Sequence, residues 1–350
     1  MLASPLILAY DGIVPRFATP LLHAGIGSAV LGRATVGRNA WIGALAVIRA
    51  DGHDVKVGDD FHLGARSTLH IAQDLFPCIV GDRVSVGENS CVHACTVGND
   101  VVIGDNVVIL DGAIVDDVVV FESNSTAFPG KRIAGGQVYA GSPAKPVRPV
   151  TLEEITQLRA GIAARRANPA ASNTPRHDLA KNSSIDPSVF IASTATVKGR
   201  LNMAEGTSCF FSNDFDAGPG TITIGLRTNV QDNTVIRCTT GQGVIIGRDS
   251  TVGHNVTIPD CVIGNNSRLG IGSHVSPGTV IPDHVLLAAS ARTAPGQVLE
   301  SGFLYVGNPA KKFAPLDRGK REMIATIIEH YCHYARVYKA AERELLKARA

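Results

Sequence analysis

The sequence carries almost no excess of charge of either sign: 33 Lys and Arg against 31 Asp and Glu leave a formal net charge of +2 over 350 residues. That balance gives no footing for binding to nucleic acid or to an anionic membrane surface. Aromatics make up only 5% of the chain, with a single Trp, while 45% of residues are hydrophobic, so any core must be mainly aliphatic. No apolar run reaches the roughly 20 residues that a bilayer-crossing helix needs. The opening MLASPLILAYDG is mildly apolar but lacks a basic first region, a long apolar core and a cleavage site, and it reads as mature protein. Seven cysteines, odd in number and without a CxxC pair, argue for a reduced, cytoplasmic setting over a disulfide framework.

Small turn-forming residues are plentiful, with 36 Gly and 18 Pro, which favours many tight turns over long helices. They fall into a rhythm. Val36, Ile42 and Ile48 are six apart, as are Val57, Leu63 and Leu69, and Val80, Val86 and Val92. After one five-residue step, Val97, Ile103, Ile109 and Val115 continue it. Gly commonly follows the aliphatic residue, as in VGDDFHLGARST and VGNDVVIGDNVV. In such hexapeptide units each short strand ends in a turn and three units close a triangular coil. The aliphatic residue points inward onto its equivalent in the next coil, and glycine fits the turn. The spacing therefore predicts a mainly β chain of stacked parallel coils.

The whole pattern then repeats. Ile224 and Val230 restart it, followed by Ile246, Val252 and Ile258, then Ile263, Leu269, Val275 and Ile281, at an offset of about 166 residues. YAGSPAK at 139–145 returns as YVGNPAK at 305–311, and GENSCVH at 87–93 returns as GHNVTIP at 253–259. A tandem duplication follows, with a first domain over 1–168, a linker over 169–186 and a second domain over 187–350. Leu152, Ile155, Leu158 and Ile162 give 151–168 helical spacing, and the Pro-, Ser- and Asn-rich stretch after it reads as the linker. Residues 317–348 read as a long amphipathic helix whose stripe, including Tyr331, Tyr334 and Tyr338, is expected to pack on a β-helix flank or a neighbouring chain. Pro143 and Pro309 are expected to mark the two β-helix exits, each followed by a chain reversal.

Nearly the whole of each half resembles the γ-class carbonic anhydrases and their hexapeptide relatives. That resemblance implies two tandem left-handed parallel β-helices, each followed by an α-helix, in a homotrimer acting on a small molecule. In the family three histidines bind a divalent metal at a cleft between subunits, the second coming from the neighbour. Here the first and third positions fall on His70 and His93, and the second on Glu88. The family's Asn, Gln and Asp positions fall on His62, Gly64 and Ala65, and its Arg-Gly-Asp stretch on Arg49, Ala50 and Asp51. In the second half Asn229, Gln231 and Asp232 match the family, but the ligand positions hold Arg237, His254 and Pro259.

Two imidazoles and a carboxylate are a recognised zinc set with a fourth position open for water. His70, His93 and a neighbour's Glu88 are therefore the expected metal ligands, for Zn or another divalent ion such as Fe or Co. Arg49, Asp51, His62 and His254 are the expected catalytic groups, with His62 a fourth ligand, a proton shuttle or neither. Arg237 and Pro259 forbid the same site in the second half, which suits a scaffold, anion binding by Arg237, or metal-free chemistry at His254. A composite of His70, His93 and a neighbour's His254 is the alternative. A threefold ring cannot alternate two kinds of domain, which favours rings of like domains. Cys91 and Cys95 flank His93, but small buried cysteines are ordinary in such cores. Three functions stay open: metal-assisted hydration or hydrolysis of a small carbonyl compound, acyl transfer or thioester hydrolysis with a histidine base, and a non-catalytic scaffold.

Overall fold

The computed structural model describes residues 5–165 and 174–349. The chain divides into two compact units, Met1–Thr174 and Pro175–Ala350. Both are β-helices of short parallel strands, as the hexapeptide rhythm requires.

In the first unit the spaced aliphatic residues meet their equivalents coil by coil. One ladder stacks Leu63, Val86, Ile103, Phe121 and Tyr139. A second stacks Ile48, Leu69, Val92, Ile109 and Ala127. The third stacks Val57, Val80, Val97, Val115 and Ile133. All lie in one buried core. Each row is a run of side chains that no single coil could bury alone, so stability comes from stacking. The corners stack as tightly as the strands. An ideal Cβ at Gly87 would stand 2.6 Å from the carbonyl carbon of Gly104 in the next coil, which is why glycine follows the aliphatic residue there.

The second unit repeats the plan with three parallel ladders over a core that runs from Val197 and Phe215 to Val285 and Leu287. It begins before the expected boundary. Part of the expected linker, 166–173, lies outside the described residues. His177–Leu179 and Ser184–Ile185, however, are already strands, paired in parallel with Thr196–Gly199 and Leu201–Met203. The Ser, Asn and Pro content that reads as linker is also what β-helix corners use, so composition alone did not separate the two.

Both β-helices end alike. Gln137–Ala140 turns back into the antiparallel strand Lys145–Pro149, and Phe303–Val306 into Lys311–Pro315. Pro143 and Pro309 sit in these reversals, each after a cis peptide bond. Helix α1, Leu152–Arg165, follows the first and helix α2, Arg318–Arg349, the second. The Thr151 hydroxyl accepts from the Glu154 amide and the Asp317 carboxylate from the Lys320 amide, capping the two helices in the same way. The aromatic stripe of α2 packs on its own β-helix: Tyr331 meets Phe210 edge-on at 5.2 Å and Tyr338 meets Phe211 at 5.0 Å. Among the described residues no helix is long and apolar enough to cross a membrane.

Candidate metal centre

His70 and His93 end the strands Thr68–His70 and Cys91–His93, which are neighbours with the two histidines in register. Leu69 and Val92 just before them point into the core, so strand alternation turns both imidazoles outward. Their ring centroids lie 5.3 Å apart at 70°, and both are buried. Each has an oxygen at Nδ1. His70 Nδ1 donates to the carbonyl of Arg49 at 2.9 Å, and His93 Nδ1 donates to Asp111 Oδ1 at 2.5 Å. An acceptor at Nδ1 fixes the proton there and leaves the Nε2 lone pair as the donor, which is how metal-ligating histidines are usually held.

Arg49 sits one coil earlier on the same ladder, paired with His70. It and Asp51 are fully buried and joined at 2.5 Å. An Arg49 Nη2 lies 3.1 Å from His70 Nε2, and Asp51 Oδ2 lies 4.0 Å from the same nitrogen. The structure therefore brings Arg49, Asp51, His70 and His93 together.

His62 belongs to a different ladder. It stacks on Trp41 at 4.5 Å, and Trp41 stacks on His23 at 4.7 Å. Glu88 stands in the corner between Ser85–Val86 and Cys91–His93, with an exposed side chain. Its amide donates to Asp105 Oδ1 at 2.8 Å, and its carbonyl accepts from the Asn106 amide at 2.9 Å. Its carboxylate takes no hydrogen bond or ion pair among the described residues. Cys91 and Cys95 are core side chains. A hydrogen bond with Cys78, together with burial, pushes the Cys95 thiol up.

The second unit carries the same ladder with different chemistry: Asp216, Arg237 and Pro259 pair in the register of Arg49, His70 and His93. Arg237 Nη1 donates to Asp214 Oδ1 at 3.0 Å and to its carbonyl at 2.9 Å, and Nη2 pairs with Asp214 Oδ2. A guanidinium engaged in that way leaves little charge for the anion binding that the sequence had suggested. His254 occupies the corner that Glu88 occupies in the first unit. It is fully buried, and its Nδ1 lies 3.1 Å from Asp232 Oδ2, within ion-pairing reach though not aligned as a hydrogen bond. Asp232 is fixed in turn by the Phe211 amide, which donates to Oδ1 at 3.0 Å.

A family model described as the hexapeptide repeat of succinyl-transferase matches residues 77–111 and 223–259, once in each repeat. Protein YrdA of Escherichia coli is 37% identical over 138 residues, covering 38% of this chain and 75% of that protein. The chain belongs to the γ-carbonic-anhydrase-like hexapeptide-repeat family. Another relative, gamma carbonic anhydrase 2, mitochondrial, of Arabidopsis thaliana, is 30% identical over 164 residues. The match covers 45% of this chain and 59% of the plant protein's length. A solved structure titled as a putative acetyltransferase from Desulfovibrio desulfuricans covers 95% of this chain at 13% identity and a TM-score of 0.59. That likeness shows the fold alone.

The first unit of this γ-carbonic-anhydrase-like chain offers two side chains of a kind that ligates divalent cations. It presents two adjacent imidazoles with Nδ1 tied back; Nε2 of His70 accepts from Arg49 Nη2 at 3.1 Å, a contact that a cation on that nitrogen would replace. Asp111 is the residue that sequence reasoning missed. It lies 18 positions after His93, in the next coil and one residue past the place in register with His93, so looking one coil onward from each ligand would have found it.

Proposed function

We propose that the chain is a metal-dependent enzyme of the carbonic anhydrase type, acting on carbon dioxide or a similar small carbonyl compound as a homotrimer. His70 and His93 hold the cation, and a neighbouring subunit's Glu88 is the third ligand. The observation that carries this reading is the pair of neighbouring imidazoles, each tied at Nδ1 to an oxygen. A cation bound there supplies Lewis acidity toward water and toward a carbonyl oxygen. Asp111 orients His93 and fixes its tautomer. The buried Arg49–Asp51 pair sits against the His70 ring and helps to position it. Gly64 and Ala65 leave the family's Gln and Asp positions without polar side chains, so no group at those positions orients water. That loss is worth about 10- to 100-fold in rate or affinity.

The environment of His254 favours a second reading. A buried imidazole beside a fixed carboxylate is a general-base arrangement, suited to acyl transfer or thioester hydrolysis without metal. Stopped-flow carbon dioxide hydration by zinc-loaded protein, run beside acetyl-coenzyme A hydrolysis, tests both. Hydration that disappears in His93→Ala and persists in His254→Ala supports the first reading. Hydrolysis without hydration, lost only in His254→Ala, supports the second and refutes the first.

A further inference from the structure

The two repeats differ where each C-terminal helix lies on its β-helix, and the difference opens a cleft in one of them. Their exits align without a gap, because Thr151 and Asp317 cap α1 and α2 through the amide three residues on. On that alignment Ile155 corresponds to Arg321 and Arg159 to Ala325. In the first unit Ile155 is fully buried with Val102, Val120 and Val138. Arg159 there lies across a β-helix corner and donates from Nη2 to the carbonyl of Asp60 at 3.1 Å. In the second unit Ala325 takes away that long side chain, and a cleft of about 460 Å³ stands beside α2.

The wall of the cleft is apolar. Leu316, Ile324 and Ile328 line it and are almost fully buried themselves. Its rim is basic. Arg227 is neutralised by Asp249 at 3.1 Å and Glu329 at 2.5 Å. Arg321, in contrast, has no carboxylate partner among the described residues. Its Nε donates to the Leu316 carbonyl at 3.3 Å, which holds the guanidinium at the rim that His284 also lines.

We propose that this cleft binds a short-chain monocarboxylate, its carboxylate on Arg321 and its hydrocarbon against Leu316, Ile324 and Ile328. A planar guanidinium recognises a carboxylate through paired N–H donors, and an apolar wall beside it selects a hydrocarbon body over a hydrated inorganic anion. The volume falls within the range of ligand pockets and accommodates a short acyl chain. The bound molecule bridges α2 and the second β-helix, so binding ties the C-terminal helix down. This site is independent of the one at His70 and His93.

Isothermal titration of the full-length protein with hexanoate tests it, with acetate and hexylamine as controls. Saturable binding of one hexanoate per chain is expected, with acetate weaker and hexylamine silent. Arg321→Ile installs the first repeat's residue at an exposed position and should weaken hexanoate binding at least about tenfold. Ala325→Arg rebuilds the first repeat's plug and should abolish it. Absence of saturable binding to the wild type overturns the proposal, as does unchanged affinity in Arg321→Ile. If Ala325→Arg proves misfolded by circular dichroism, Arg321→Ile decides alone. His70→Ala should bind hexanoate as the wild type does, which keeps this outcome separate from the metal reading.

Discussion

Removing the Asp111 carboxylate should loosen the first unit's hold on a cation without loosening its fold. The carboxylate accepts the Nδ1 proton of His93 at 2.5 Å, fixing both the tautomer and the ring. Its side chain is 42% exposed, and the Asp111 carbonyl keeps its bond from the Gly130 amide whatever the side chain. Losing an outer partner of a ligating histidine costs about 10- to 100-fold in affinity, or about 1.4 to 2.8 kcal/mol. An exposed substitution of this kind changes stability by roughly 0.5 kcal/mol or less. Competition between the protein and a chromophoric chelator for zinc should therefore show the loss in Asp111→Ala, and a smaller one in Asp111→Asn, whose amide oxygen still accepts. Urea unfolding should barely move. Long-range proton–nitrogen spectra of the metal-free chain give a second readout: the His93 proton sits on Nδ1 in the wild type and divides between the nitrogens in Asp111→Ala. Unchanged zinc affinity in that variant, with the proton still on Nδ1, refutes the reasoning.

Other perturbations probe the scaffold. Tyr338→Ala empties a fully buried site against Phe190 and Phe211. It should cost about 3 to 5 kcal/mol in urea unfolding and speed amide exchange along α2; native protection there would contradict the packing role. Gly87→Ala drives a Cβ into the Gly104 backbone and should destabilise by at least about 1 to 3 kcal/mol, read from the thermal midpoint. Glu342 is buried, and burial raises its carboxyl in spite of hydrogen bonds from the Ser193 amide and hydroxyl. A raised folded value means the proton is bound more tightly folded than unfolded. The contribution of Glu342 is therefore complete below the ordinary value of 4.5 and falls as pH rises through the raised one. Wild type should lose stability relative to Glu342→Gln as pH rises from 4.5 toward neutrality, and a constant difference in urea midpoints would contradict this.

Much of the scaffold was legible in the sequence because a β-helix writes its contacts at fixed intervals. Leu63, Val86 and Ile103 had to share a row once three six-residue units made a coil, and the stacked registers follow from that count. The exits were legible from Pro143 and Pro309, and the tyrosine stripe from helical spacing. His70 and His93 could be placed side by side for the same reason. The start of the second β-helix was not legible, since the Ser, Asn and Pro residues around 177–185 suit a loop and a corner equally. Nor was the part of Asp111, whose meaning lies in a contact one coil away rather than in any local motif. The engagement of Arg237 by Asp214 also depends on a contact between neighbouring strands, two residues off the direct pairing, which a list of ligand positions does not contain. Arg159 and Ala325 differ in an alignment that looks unremarkable until the helices are seated on their β-helices.

Metal content tests the central claim most directly. Wild type and the variants His70→Ala, His93→Ala, Glu88→Gln and His254→Ala would be reconstituted with zinc, freed of excess metal and measured by elemental analysis. The account predicts about one zinc per chain in the wild type, none in His70→Ala or His93→Ala, a reduced content in Glu88→Gln and an unchanged content in His254→Ala. Loss of zinc in His254→Ala with Glu88→Gln unaffected would move the third ligand to a neighbouring chain's second repeat. Wild-type protein without zinc, or full zinc in His70→Ala, would contradict the account.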